Sequence, residues 1–107
     1  INVAYKRPVI ELTIEDTYYN MYDQVAPHEE YLERARAAML RAGVTPRTSP
    51  IRGGTDGARL SYMGLPCPNL FTGGANFHGK YEYASLDTMC RSVETLVYLL
   101  TEAPTEG

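Results

Sequence analysis

The chain has 107 residues, 44% of them hydrophobic, and a formal net charge of −3, which limits it to one small domain with a modest core. Its ten basic residues are scattered, so it lacks the basic stripe that nucleic-acid-binding proteins present to phosphates. No apolar run approaches the roughly 20 residues that cross a bilayer, and no secretory leader is recognisable. We therefore expect a cytoplasmic protein with neither nucleic acid nor membrane as a partner.

The first predicted element is a strand over residues 8–15, where apolar and polar residues alternate. This alternation places Ile10, Leu12 and Ile14 on one face, as in a half-buried strand. Residues 16–25 are rich in tyrosine and show no period, which indicates an extended connection. Their aromatic rings either stack on a ligand or pack at a junction between two structural units.

A helix is predicted over residues 27–42. Pro27 suits the first helical position, and the two glutamates that follow favour the positive end of the helix dipole. Gly43 is a natural stop. The apolar stripe of this helix comprises Leu32, Ala35, Met39 and Ala42. Prolines then limit residues 44–49 to a short strand or an extended stretch.

A glycine-rich turn over residues 51–57 precedes a short helix. Either Thr55 or Asp56 caps this helix, and Gly64 ends it. Residues 65–72 follow, and they are predicted to form a short buried strand.

The last predicted element is a helix that follows a second glycine-rich loop, residues 73–80. Ser85 is a good N-cap, and the helix ends before Pro104. Its apolar residues recur at helical spacing: Leu86, Met89, Val93, Leu96, Val97 and Leu100. The order strand, helix, short strand, short helix, strand and helix predicts an α/β fold, in which such loops commonly carry ligand sites.

Two side chains on these glycine-rich loops are candidates for chemistry. His78 is either a metal ligand or acid/base group, or an ordinary exposed histidine. Arg52 is either a bidentate clamp for a carboxylate, or a surface arginine or structural ion-pair partner of Asp56.

Other potential metal ligands are less promising. His28 and the two glutamates after it lie on a predicted helix, where neighbouring residues do not share a face. Cys67 and Cys90 form no CxxC pair, and we expect both to be buried free thiols. Catalytic zinc needs about three protein ligands. The residue types alone therefore indicate a binding site and not an enzyme.

Three stretches of the sequence resemble a known family. They are residues 50–74, PIRGGTDGARLSYMGLPCPNLFTGG, residues 76–83, NFHGKYEY, and residues 10–21, IELTIEDTYYNM. Through them the chain resembles the C-terminal part of the peptidase T family, tripeptide aminopeptidases of the dizinc aminopeptidase/carboxypeptidase superfamily. The resemblance implies an α/β-sandwich catalytic domain that holds two zinc ions and carries an inserted lid domain. Residues 1–20 would be the end of the lid, including its last strand, and the return crossing, and residues 21–107 the C-terminal part of the catalytic domain.

The same resemblance implies roles for a few residues. His78 matches the family's last zinc ligand, and Arg52 matches an arginine that holds a substrate carboxylate, with Gly53, Gly54 and Thr55 shaping that pocket. The partners implied are a tripeptide substrate and the rest of the enzyme. The family's other zinc ligands and its catalytic glutamate have no counterpart in this sequence. We therefore expect the chain alone to be inactive and, because its sheet would have an open edge, to self-associate as a homo-oligomer.

Two alternatives to a tripeptidase remain open. One is another hydrolase of the same dizinc superfamily, such as a carboxypeptidase or a deacylase. The other is a non-catalytic binding module that keeps the fold without the metal centre.

Overall fold

The computed structural model describes residues 2–17 and 19–102. In chain order its elements are helix α1 (Asn2–Tyr5), helix α2 (Tyr22–Val25), a 3-10 turn (Ala26–His28), helix α3 (Glu29–Arg41), helix α4 (Asp56–Tyr62), strands β1 (Gly74–Ala75) and β2 (Tyr83–Ala84), and helix α5 (Leu86–Thr101). The two strands form an antiparallel sheet. Helices with a small sheet are consistent with the expected α/β class. Within the described residues, no helix is both long and apolar enough to span a bilayer.

The predicted long helices are confirmed. Helix α3 begins at Glu29, two residues later than predicted, because residues 26–28 form a 3-10 turn. Gly43 ends α3 with φ +77°, and its N–H donates to the Leu40 carbonyl at 3.1 Å. Ser85 caps α5, since its side chain accepts a hydrogen bond from the Thr88 N–H at 3.4 Å.

The short helix α4 also forms where the sequence predicts it. Of the two candidate caps, Thr55 is the one observed: its Oγ1 accepts a hydrogen bond from the Ala58 N–H at 3.2 Å. At the other end, the Gly64 N–H donates to the Ser61 carbonyl at 3.3 Å, and the next N–H donates to the Leu60 carbonyl. Both ends of this seven-residue helix are therefore satisfied by neighbouring residues.

The core lies where α3 packs against α5, and it is built from small side chains. Its buried members are Ala35, Ala38 and Ala42 of α3 and Thr95 of α5. Ala38 is absent from the predicted stripe, in which Leu32 and Met39 are only half-buried. The Arg91 Nη1 of α5 donates to the Ala42 carbonyl at 3.1 Å, which ties α5 to the C-terminal end of α3.

The strands predicted over residues 8–15 and 65–72 do not form, and of the two alternatives for residues 44–49, a short strand or an extended stretch, the strand is not observed. Residues 8–15, 44–49 and 65–72 are neither helix nor strand. In the first of these segments, Leu12 and Ile14 are 78% and 79% exposed. The alternation in sequence identifies a face that can be buried, but a strand also needs a neighbour to pair its N–H and C=O groups. Alternation alone therefore does not predict whether a strand forms.

The overall shape is extended, with a radius of gyration of 19.6 Å and extents of 67 × 38 × 17 Å. A compact domain of about 100 residues has a radius of gyration of roughly 13 Å. The six apolar residues that recur at helical spacing along α5 are all exposed. Much apolar surface therefore lies outside the small α3–α5 core.

Candidate functional site

His78 lies in a β-hairpin loop. Strands β1 and β2 pair with Gly74 opposite Ala84 and Ala75 opposite Tyr83, so residues 76–82 form the loop between them. The predicted glycine-rich loop of residues 73–80 therefore includes strand β1 and most of the hairpin loop, and its sequence pattern did not reveal the two strands.

Two consecutive turns fix the backbone around His78. The Gly79 N–H donates to the Asn76 carbonyl at 2.9 Å, and the Glu82 N–H donates to the Gly79 carbonyl at 3.2 Å. The Asn76 side chain closes the loop, because its Nδ2 donates to the Tyr81 carbonyl at 3.3 Å. His78 thus occupies a defined position that local hydrogen bonds maintain.

The conformation of His78 is unusual. Its φ is +62°, in the left-handed region that few residues other than glycine adopt, and Asn76 shares it at +56°. Such strain persists only where the surrounding structure enforces it, and it concentrates at functional sites. The His78 side chain is exposed and forms no hydrogen bond or ion pair with any described residue. Its imidazole nitrogens are therefore free to bind a ligand.

Tight packing holds the base of the hairpin. A Cβ on Gly73 would lie 2.9 Å from the Met89 backbone nitrogen and from its Cγ, and one on Gly74 would collide with the Phe77 ring. The Ser85 N–H donates to the Gly73 carbonyl at 2.9 Å, so the hairpin is joined directly to the N-terminus of α5.

The second candidate segment, around Arg52, is held less firmly. Arg52, Gly53 and Gly54 are all exposed. A Cβ on Gly53 would meet no atom within 4 Å. Among the described residues, Arg52 forms no ion pair, so the expected alternative of a pair with Asp56 is not present. The guanidinium of Arg52 is available to a ligand, but no contact within the described residues fixes its position.

Thr55 marks the point where this segment becomes anchored. Besides capping α4, its Oγ1 accepts a hydrogen bond from the Asn69 Nδ2 at 3.3 Å. A Cβ on Gly57 would lie only 2.6 Å from the Cys67 carbonyl oxygen, so α4 packs directly on the following segment. Ser61, 1% exposed, connects the two: its Oγ donates to the Gly57 carbonyl at 2.7 Å and accepts from the Cys67 N–H at 2.9 Å.

An open depression lies beside this anchor. It is lined by Thr17, Gly54, Thr55, Asp56 and Arg59. Two of the expected substrate-binding residues, Gly54 and Thr55, line it together, whereas Arg52 does not. Arg59, which sequence reasoning did not select, supplies the guanidinium at the depression. Arg59 lies three residues after Asp56 in the same short helix, so the two side chains lie on one side of it, and this spacing was the sequence signal for Arg59.

The described residues do not by themselves form a zinc centre. Within residues 2–17 and 19–102, no three His, Cys, Asp or Glu side chains are grouped closely enough to hold a metal ion. The His28 ring stacks on Tyr31 with centroids 5.1 Å apart, and its Nδ1 lies 3.4 Å from the Glu30 carboxylate. Both cysteines are free, as predicted, but neither is buried: Cys67 is half-buried and Cys90 is exposed. This chain therefore offers one suitable imidazole, that of His78.

Comparison with known proteins finds a matching family model and several similar proteins. The family model described as Peptidase family M20/M25/M40 matches residues 7–102. Peptidase T of Aeromonas hydrophila is 63% identical over 94 residues, which cover 88% of this chain and 23% of that protein. Peptidase T of Alkaliphilus oremlandii is 52% identical over 100 residues, 94% of this chain and 24% of that protein. Peptidase T of Escherichia fergusonii is 58% identical over 88 residues, 82% of this chain and 22% of that protein. The chain thus spans about a quarter of the length of these curated relatives.

Proposed function

The chain belongs to peptidase family M20/M25/M40, and on that premise we propose that it is the C-terminal part of a dizinc aminopeptidase that releases the N-terminal residue from tripeptides. The observation that carries the proposal is the identity of more than half of the aligned residues with several proteins named Peptidase T, over most of this chain. The parent enzyme is proposed to be cytoplasmic. In this proposal residues 1–20 are the end of the lid domain and the return crossing, and residues 21–107 belong to the catalytic domain.

His78 is proposed to be one ligand of the zinc pair. Its exposed imidazole, free of any partner among the described residues, and its enforced left-handed backbone support that role. The remaining ligands would come from the part of the enzyme outside this sequence. When bound, zinc lowers the pKa of a coordinated water to about 7 and polarises a carbonyl group. The chain alone would be inactive, because its described residues hold only one of the groups that this chemistry needs.

Arg52 is proposed to bind the C-terminal carboxylate of the tripeptide. Its guanidinium has no ion-pair partner in the described part of the chain, and arginine matches a carboxylate with two parallel hydrogen bonds. Gly53 and Gly54 leave the backbone beside it uncovered, and Thr55 anchors the segment to α4. Binding of the C-terminal carboxylate in this way would make the enzyme selective for peptides of one length.

Mass, metal content and activity of the natural polypeptide that carries this sequence test the proposal. We expect a chain about four times as long that binds about two zinc ions and cleaves unblocked tripeptides. His78→Ala should lose bound zinc and lower kcat/KM by roughly 100-fold or more, since even residues that only orient zinc ligands change metal affinity or activity 10–100-fold. His28→Ala, which removes the other histidine, should retain both properties.

Two results would contradict the proposal. If His78→Ala keeps its zinc and its activity, His78 is not a ligand. If the natural polypeptide cleaves acylated amino acids or removes C-terminal residues, and leaves tripeptides intact, it is another hydrolase of the superfamily.

A further inference from the structure

Helix α5 has two faces of opposite character, and its inner face is the more polar. Thr95, at the centre of the inner face, is 1% exposed. Beside it, the Arg91 guanidinium donates to the Ala42 carbonyl, and the Ser92 Oγ donates to the Phe71 carbonyl at 2.8 Å. The described part of the chain therefore packs α5 through these polar groups together with the half-buried Tyr98 and Leu99.

The outer face carries only apolar side chains, and all of them are exposed, although Met89 also lies against Gly73 at the base of the hairpin. At 3.6 residues per turn, these side chains lie on the side of α5 away from Thr95. Their exposed fractions range from 42% for Leu96 to 76% for Leu100. The outer face comprises Leu86, Met89, Val93, Leu96, Val97 and Leu100. A helix at a protein surface normally has the reverse arrangement, with its apolar stripe inward and its polar side in water.

We infer that the outer face of α5 is an interior packing surface that, in the natural polypeptide, is covered by the part of the M20 domain that lies outside this sequence. The inference rests on the proposal above that the chain is one part of a longer enzyme. It adds the place at which this part docks with the remainder, and the apolar character that the docking partner must have.

Two observations identify the occupant. The family match over residues 7–102 includes the whole of α5, so the outer face lies within the family's domain. The relatives are about four times as long as the matched segment, so in each of them about three quarters of the polypeptide is available to cover it.

A second copy of the chain fits less well. Six side chains on one helix fall far short of the roughly 20–30 residues that each partner contributes to a stable protein–protein interface. The outer face also has no charged residue among its six members, which is the composition of an interior and not of an interface with a polar rim.

Cysteine accessibility in the natural, full-length polypeptide tests the inference without depending on activity. Val93→Cys places a thiol at the centre of the outer face, and Glu33→Cys is its control on α3. In this structure both native residues are exposed, Val93 over 60% of its residue surface and Glu33 over 63% of its side-chain surface. Reaction with a maleimide is followed by peptide mass spectrometry, which resolves each cysteine separately from Cys67 and Cys90.

We expect native Val93→Cys to react at least tenfold more slowly than Glu33→Cys, and the two to react equally after denaturation. Val97→Cys should behave like Val93→Cys, and circular dichroism should show each variant folded. The inference is overturned if Val93→Cys reacts as fast as Glu33→Cys in the native protein. It is also overturned if protection occurs only in a homodimer and disappears on dilution, or if the natural polypeptide is no longer than this sequence. Protection in a protein that does not cleave tripeptides would leave the inference standing and refute only the proposed substrate.

Discussion

The His78 hairpin, residues 74–84, and the Arg52 loop, residues 51–55, are both rich in glycine, but the chain holds them in different ways. In the hairpin, Gly74 and Gly79 lie so close to other atoms that any added Cβ would collide with them. In the Arg52 loop, a Cβ on Gly53 would project into open space. The hairpin base is also joined by a hydrogen bond, from the Ser85 N–H to the Gly73 carbonyl, to the start of α5, whereas the hydrogen bonds that anchor the Arg52 loop among the described residues are those of Thr55.

This difference between the two regions matches the different roles proposed for His78 and Arg52. Local hydrogen bonds fix the backbone of His78, so if His78 is the proposed zinc ligand, it is in place before the other ligands arrive. Among the described residues no hydrogen bond or ion pair fixes the Arg52 side chain, so if Arg52 is the proposed carboxylate-binding residue, it can adjust to the substrate. A preorganised ligand suits a metal centre, while an adaptable guanidinium suits a substrate that enters and leaves.

The largest effect that tests this comparison is expected from Gly73→Ala at the base of the hairpin. Gly73 has φ +106°, and its Cβ would lie 2.9 Å from the Met89 backbone nitrogen. The left-handed backbone costs alanine about 1–2 kcal/mol, and overpacking adds about 1–3 kcal/mol. The free energy of unfolding of the full-length polypeptide, from urea denaturation, should fall by their sum, and bound zinc should fall with it.

Gly64→Ala is the matched control for this substitution. Gly64 has a similar φ of +99° but no atom within 4 Å of its Cβ. It should therefore show only the backbone cost of about 1–2 kcal/mol. If the two variants lose equal stability, the packing of the hairpin base on α5 contributes nothing, and the contrast between the two regions fails.

Helices α3, α4 and α5 were predictable because their signals are local, whereas α2 forms within residues 16–25, which were predicted to be an extended connection. Ser85 and Thr55 are each followed within three residues by the N–H that they cap, and Gly64 lies two residues after the last residue of α4. The strands were not predictable from the same kind of signal. The alternation over residues 8–15 describes a face, but whether a strand forms also depends on a neighbouring strand, which a local pattern does not reveal.

The candidate site was predictable to a similar, partial extent. The glycines around His78 marked its loop, and the structure places His78 in an exposed and strained position. Ser61 and Asn69 were missed, because each acts through a hydrogen bond to a residue 6 or 14 positions away in sequence. The helical period of α5 identified its apolar side chains correctly, but a period cannot say which face the chain itself covers.

A smaller effect is expected from Arg52→Ala, which tests the role proposed for the Arg52 loop. If Arg52 binds the substrate carboxylate, its loss should raise the KM of the full-length enzyme for a tripeptide with a free C-terminus. Hydrogen bonds to a charged group contribute about 1.5–3 kcal/mol, so the increase should be on the order of 10- to 100-fold. The free energy of unfolding should hardly change, because Arg52 forms no ion pair within the described residues.

A tripeptide with an amidated C-terminus separates carboxylate binding from other causes. The wild-type enzyme and Arg52→Ala should bind this substrate with similar KM values, because the charge that Arg52 would neutralise is absent. Arg47→Ala, another exposed arginine in the preceding segment, should leave both KM values unchanged. An equal loss with the free acid and with the amide would exclude Arg52 as the carboxylate-binding residue.

The smallest effect is expected from Thr55→Ala, at the boundary between the free and the anchored parts of the Arg52 loop. The substitution removes the acceptor for the Ala58 N–H and for the Asn69 amide, and loss of an N-cap costs about 1 kcal/mol. Thr55→Ser keeps the hydroxyl, so its free energy of unfolding, measured by urea denaturation, should fall by no more than a few tenths of a kcal/mol. Because the His78 hairpin shares none of these hydrogen bonds, zinc content should be the same in both variants. If Thr55→Ala also releases zinc, the two regions depend on each other, and the hairpin does not determine the position of His78 by itself.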